Sequence, residues 1–164
     1  MDFETLRGIA LMAAALTTGL VAGLFYAFST SVMPGLGRAE DRTFVDAMQR
    51  INVAILNGWF ALAFGGAPVL MIAAAAVQLG AGGRTAVLSW IVAALVLYAA
   101  MLVITFAINI PLNNQLDAAG APKQIDDATS VRRQFEATWV RWNIVRAVVS
   151  TGSFACLVWS LMLF

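Results

Sequence analysis

Four long apolar stretches, separated by polar segments, make up most of this chain. No Asp, Glu, Lys or Arg occurs from Gly8 to Gly37, from Ile51 to Gly83, from Thr85 to Leu116, or from Ala147 to Phe164. Each of the first three runs exceeds the roughly 20 residues that an α-helix needs to cross a bilayer. The pattern predicts spans over about 8–30, 51–79, 87–108 and 143–163. The fourth run has only 18 residues, about 27 Å of helix against a hydrocarbon core of about 30 Å. Its span therefore begins earlier and takes in Asn143 and Arg146. The opening run is too long for a signal peptide, is preceded by Asp2, Glu4 and Arg7, and has no polar stretch after a cleavage site, so it too reads as a span.

The connections carry patterns of their own. "LGAGGR" at 79–84 is a Gly-rich turn that makes spans two and three a tight antiparallel hairpin. Phe44, Met48, Ile51 and Ile55 recur at helical spacing while Arg42, Asp46 and Gln49 take other faces, which predicts an amphipathic lead-in continuous with span two. In the second long connection "NIPLNNQLDAAGAPKQ" reads as turn-rich, and "DDATSVRRQFEATWVRW" as a capped helix running into span four. An offset of 91 residues aligns Arg42 with Arg133, Phe44 with Phe135, Arg50 with Arg141, Asn52 with Asn143 and Val53 with Ile144. This is either a two-helix unit used twice or a set of coincidences. A true repeat would place a pseudo-twofold axis along the membrane normal, with Asn52 and Asn143 facing across it.

These elements predict an all-α, integral-membrane four-helix bundle, one domain over residues 1–164, with a 2+2 repeat and amphipathic lead-in helices before spans two and four. Ala15, Gly19, Gly23, Ala27 and Ser31 fall every fourth residue, so another helix can approach closely there. The ordinary reading is packing within the bundle; a second copy could also use the Gly19/Gly23 face. Pro68 is expected to kink span two.

Composition narrows the functions. The chain is 61% hydrophobic and 12% charged, with a mean hydropathy of +0.83, so membrane lipid is its surroundings. A net charge of +1 without a polybasic tract argues against nucleic acid as a partner. The single cysteine, Cys156, lies in the last apolar run and reads as a buried thiol. There is no histidine, which removes the commonest ligand of haem, zinc, copper and non-haem iron, so neither a metal nor a bound cofactor is expected. The long connections hold Arg38, Arg42, Arg50, Lys123, Arg132, Arg133 and Arg141, against Arg7 and Arg84 on the other side. By the positive-inside rule the long connections are cytoplasmic and both termini outside. Trp90 and Trp159 fall toward one membrane face and Trp139 and Trp142 toward the other, as an interfacial belt would require.

Candidate chemistry lies on one stripe. At 100° per residue Trp139, Asn143, Arg146, Ser150 and Ser153 share a face of the fourth span. Span three adds Tyr98, Thr105 and Asn109, span two Asn52 and Asn57, and span one Tyr26. Together they suggest a polar cavity toward the long connections. Arg146 is either a snorkelling or gluing residue, or a functional cation within a span, with Glu136 and Asp46 as candidate partners. No Ser-His-Asp set, Walker loop, dinucleotide fingerprint or relay carboxylate within an uncharged run is present. What remains suits a flat, partly apolar molecule with oxygen substituents, because a fixed cation and amide donors favour negative charge on oxygen.

At these residues the chain resembles the anthrone-oxygenase-like family of small membrane proteins, through "GLFYAFSTSVMPGL" (23–36), "DRTFVDAMQRINVAILNGWF" (41–60), "NIPLNNQL" (109–116) and "FEATWVRWNIVR" (135–146). The resemblance implies a four-helix membrane bundle and oxidation of an anthrone to an anthraquinone by dioxygen with no known cofactor. It assigns Arg146 and Asn143 to the oxyanion, Asn109, Asn113 and Asn114 to substrate hydroxyls, and Trp139 or Trp142 to ring stacking. Ile144 stands where the family's last motif often has histidine, so an obvious general base is missing. Two readings stay open: a cofactor-independent oxygenase acting on an anthrone, polycyclic phenol or quinone-type molecule, and a non-enzymatic membrane protein that binds a lipid or quinone or assembles with a partner.

Overall fold

In the computed structural model, which describes residues 2–80 and 82–164, five helices account for nearly all of the chain. The helix α1 runs Phe3–Leu36, α2 Asp41–Ala54, α3 Gly58–Gln78, α4 Thr85–Ala118 and α5 Ala128–Leu163, with a short 3-10 turn at Pro122–Gln124. Four of them, α1, α3, α4 and α5, are long and apolar enough to cross a bilayer. The protein is a multi-pass integral membrane protein. Each spanning helix packs against two others in the cyclic order α1, α3, α4, α5, leaving α1 opposite α4 and α3 opposite α5.

Burial follows from this ring. Leu11, Val21, Met71, Ile91, Tyr98, Met101 and Leu157 close the centre of the bundle. Leu16, Leu20, Leu62, Val69, Val96, Val103, Val148 and Met162 are each more than 60% exposed, an outer surface stable only in hydrocarbon. A second core forms under the amphipathic α2, where Phe44, Val45 and Met48 meet Met33, Leu116, Phe135 and Trp139. Arg132 clamps this layer: it pairs with Asp41 and Glu136 and donates to the carbonyls of Gly37 and Ala39. Arg42 donates to the carbonyls of Pro122 and Ile125.

Two helix boundaries differ from the sequence expectation. The lead-in to span two is not continuous with it: the chain breaks at 55–57, where Asn57 is extended and its side-chain oxygen accepts from the Phe60 amide, capping α3. The α5 lead-in does continue, as one 36-residue helix. The stretch 109–118, expected to be turn-rich, is helical, because each long first helix passes through a five-residue π turn before a proline. The turns are Phe28–Val32 ahead of Pro34 and Thr105–Asn109 ahead of Pro111. A proline lacks its amide donor and its ring crowds the carbonyl four residues back; the wider π turn makes room for both. α1 and α4, which stand diagonally in the bundle, share this π turn ahead of a proline.

Pro68 leaves α3 unbroken. The carbonyl it cannot serve is that of Phe64, and the Tyr98 hydroxyl donates to it at 2.7 Å. Tyr98→Phe, which keeps the volume and removes the donor, is expected to lower stability by about 1–2 kcal/mol, read as a lower melting temperature in detergent. On the far side Arg7 donates to the carbonyls of Val77 and Gly80 and Arg84 to that of Leu163, tying the end of α3 and the start of α4 to the first and last helices; Ala81, within the expected Gly-rich turn, lies outside the described residues. Gly83 permits that turn: a Cβ there would lie 1.7 Å from the Gln78 carbonyl oxygen.

The loop-side layer carries a pH dependence. The hydrogen bond from the Thr129 hydroxyl, at 2.5 Å, and then Arg132 hold the Asp41 carboxyl below the usual carboxylate range. A native pKa below the unfolded one stabilises the fold above the unfolded value, near pH 4, and that contribution is lost as pH falls through the native value. Melting temperatures measured between pH 7 and 3 should therefore fall less in Asp41→Asn than in the wild type.

Candidate functional site

The buried stripe of α5 splits into two parts with different tasks. Ser150 donates to the Arg146 carbonyl on its own helix, while Ser153 and Ser160 donate across to the carbonyls of Ala94 and Val87 on α4. These are interhelical and intrahelical fasteners. Arg146 and Asn143, about one and two turns from Ser150 toward the loop side, instead reach the π turns of the two neighbouring helices.

Asn143 is 1% exposed and its Nδ2 donates to the Phe25 carbonyl at 3.1 Å and to Ser29 Oγ at 2.8 Å, in and just before the α1 π turn. Its Oδ1 accepts from Arg146 Nη2 at 2.9 Å. Arg146 Nη1 lies 3.5 Å from Thr105 Oγ1, the first residue of the α4 π turn. The guanidinium stands over the rings of Phe25, at 4.4 Å, and Trp139, at 5.4 Å. It is 5% exposed, and its Nε has no hydrogen-bond partner. The expected partners are committed elsewhere: Glu136 pairs with Arg132 and Asp46 with Arg50. Among the described residues, no carboxylate pairs with Arg146. Neutral oxygens and two aromatic faces hold a full positive charge inside the bundle, an arrangement that favours an added negative charge.

The guanidinium forms part of the wall of a cavity of about 220 Å³, a little under the ~300–1,000 Å³ of typical small-molecule clefts. Phe25, Phe28, Phe60, Phe64 and Trp139 supply its aromatic lining, and Asn52, Asn113, Asn114, Asn143 and Thr105 its neutral polar groups. Leu56, Asn114 and Asp117 are exposed and mark its rim. Trp139 is 4% exposed and donates through Nε1 to Asn113 Oδ1 at 2.7 Å, so it serves the cavity and not an interfacial belt. Asn52 and Asn143 both line the cavity, and the Nδ2 of Asn52 lacks a hydrogen-bond partner among the described residues.

Four residues picked out in the sequence lie elsewhere. Asn109 is buried behind the wall, donating to the Trp139 carbonyl at 3.3 Å, with its Oδ1 unpartnered. Asn57 is the exposed cap of α3, Tyr26 is 61% exposed on the outer face of α1, and Trp142 is half-buried away from the cavity. Of the small-residue stripe, Gly19 faces inward, where a Cβ would come within 3.0 Å of the Phe154 ring, whereas Gly23 opens on the surface. Sequence reasoning missed Phe25, Phe28, Phe60 and Phe64, since a phenylalanine within a span looks the same whether it faces lipid or a cavity. It also missed Ser29 and Asp117.

A four-span membrane bundle whose aromatic cavity holds a buried cation with no carboxylate partner among the described residues is the class of protein that fold and site define. The family model described as anthrone oxygenase matches residues 58–156, more than half of the chain. The chain belongs to the anthrone oxygenase family. The matched stretch holds α3, α4 and most of α5, with Thr105, Asn113, Asn114, Asp117, Trp139, Asn143 and Arg146; Phe25 and Asn52 lie before it. No curated protein and no solved structure matches the chain.

Proposed function

We propose that the cavity binds a planar anthrone- or phenol-type molecule as its anion, and that the protein is an oxygenase that presents this anion to dioxygen. The observation that carries the reading is Arg146: a cation 5% exposed, without a carboxylate partner among the described residues, on the wall of a ring-lined cavity. Such a group stabilises negative charge developing on a ligand oxygen, and does so more strongly where water is excluded. Family membership supports this reaction class.

The chemistry balances without further reagents. A ring methylene para to the carbonyl across the central ring loses a proton, and the electron pair delocalises onto the oxygen held by Arg146 and Asn143. The carbanion passes one electron to dioxygen, and the resulting radical and superoxide combine to form a C–O bond. After protonation, the hydroperoxide loses the second hydrogen of that carbon as a proton, its O–O bond breaks, and a carbonyl and water leave. One oxygen atom ends in the quinone and the other in water. The protein holds the anion, aligns it and keeps it dry. The distribution of arginines between the two sides supports placing the cavity rim toward the cytoplasm.

Oxygen uptake by the purified protein in detergent, with emodin anthrone as the probe, tests the reading. Uptake well above the spontaneous rate, with one quinone formed per dioxygen consumed, is the expected result. Binding of the anthrone without extra uptake would make the protein a carrier or sensor of such molecules instead.

A further inference from the structure

We infer that Asp117 is the proton acceptor of this site, an inference that rests on the oxygenase reading above. Among the described residues it is the one carboxylate lining the cavity, at the exposed rim opposite the closed end where Arg146 sits. It lies in the last turn of α4, whose final helical stretch is Ile110–Ala118. A negative charge there faces the negative end of the helix dipole, so the helix gains nothing from it. No ion pair or hydrogen bond engages its carboxylate among the described residues. A carboxylate that neither caps nor pairs, on the wall of a cavity that holds a cation, is free to take up a proton.

On α5, Arg146 shares the cavity, Arg132 and Glu136 are paired, and Arg133 and Arg141 line a separate groove on the outer face of α5. On α2, Arg50 is paired with Asp46 and Arg42 is bonded to the carbonyls of Pro122 and Ile125. Along α4, Asp117 lies twelve residues beyond Thr105, the contact of Arg146, or about 18 Å along the axis. That separation exceeds one aromatic ring with direct contacts at both ends, so the proton crosses by bridging water, for which Asn113 and Asn114 supply the polar partners. The substrate therefore presents its acidic C–H toward the rim and the oxygen that receives the charge toward Arg146, on opposite sides of its central ring. Because Asp117 is exposed, it passes the proton on to solvent.

The test is the pH profile of oxygen uptake with emodin anthrone by the wild type, Asp117→Asn and Asp117→Glu, each corrected for spontaneous oxidation. Asp117→Asn should be slower by about 100-fold or more at neutral pH. It should regain most of the wild-type rate at alkaline pH, where the anthrone ionises unaided, and Asp117→Glu should keep most of the activity at neutral pH. An Asp117→Asn rate within about twofold of the wild type at neutral pH overturns the inference, as does a loss that is equally deep at every pH. Absence of protein-dependent uptake in the wild type overturns the oxygenase reading itself, and this inference with it.

Discussion

Arg146→Ala should reduce anthrone-dependent oxygen uptake by about 100- to 1,000-fold, the range seen when a preorganised oxyanion donor is removed. The loss should lie mainly in kcat, since the guanidinium meets most of its negative charge as the proton leaves. Arg146→Lys should recover little of it. An ammonium on a flexible stem cannot at once reach Asn143 and Thr105, lie over the Phe25 and Trp139 rings, and leave a further donor for the ligand. Rates within twofold of the wild type for Arg146→Ala, measured by oxygen electrode at saturating anthrone, would remove Arg146 from the reaction.

The second large effect is expected from Asn143→Leu, and it falls on folding as well as on activity. Asn143 ties the α1 π turn to α5 through Phe25 and Ser29 and gives Arg146 one of its two acceptors. A leucine of similar size leaves the buried guanidinium with Thr105 as its one remaining hydrogen-bond acceptor, and a buried charged donor that loses its acceptor costs about 1–3 kcal/mol or more. The variant should melt well below the wild type in detergent. The double variant Asn143→Leu/Arg146→Leu should recover part of that stability but no activity, because it removes the stranded charge along with its acceptor. If the double variant is as unstable as the sum of the single ones, the two side chains do not act as a unit.

Arg146 and Asn143 are legible in the amino-acid sequence because a polar stripe on an apolar helix has few explanations. Both stand out by periodicity alone, and the four spans stand out by the length of the uncharged runs. Other features are hidden for physical reasons. The break at 55–57 falls within apolar sequence, and only the capping geometry of Asn57 shows that α3 starts anew. Pro111 with three nearby asparagines has the composition of a turn, yet the preceding π turn absorbs the proline and the helix runs on to Ala118. That extension carries Asn113, Asn114 and Asp117 to the cavity. Taken as part of a loop, Asp117 has no place in the site, so the sequence alone offers a cation and no base. The π turns leave no compositional trace of their own. Only the matching prolines at 34 and 111 hint at them.

Everything proposed for this protein turns on the cavity holding its ligand as an anion against Arg146. Anaerobic titration of the detergent-purified protein with emodin anthrone at neutral pH, followed by absorption, tests this without any turnover. The spectrum of the ionised anthrone should grow in with the wild type, saturate at one molecule per chain, and fail to form with Arg146→Ala. A bound anthrone that keeps its neutral spectrum, or an ionised spectrum of equal strength with Arg146→Ala, would contradict it.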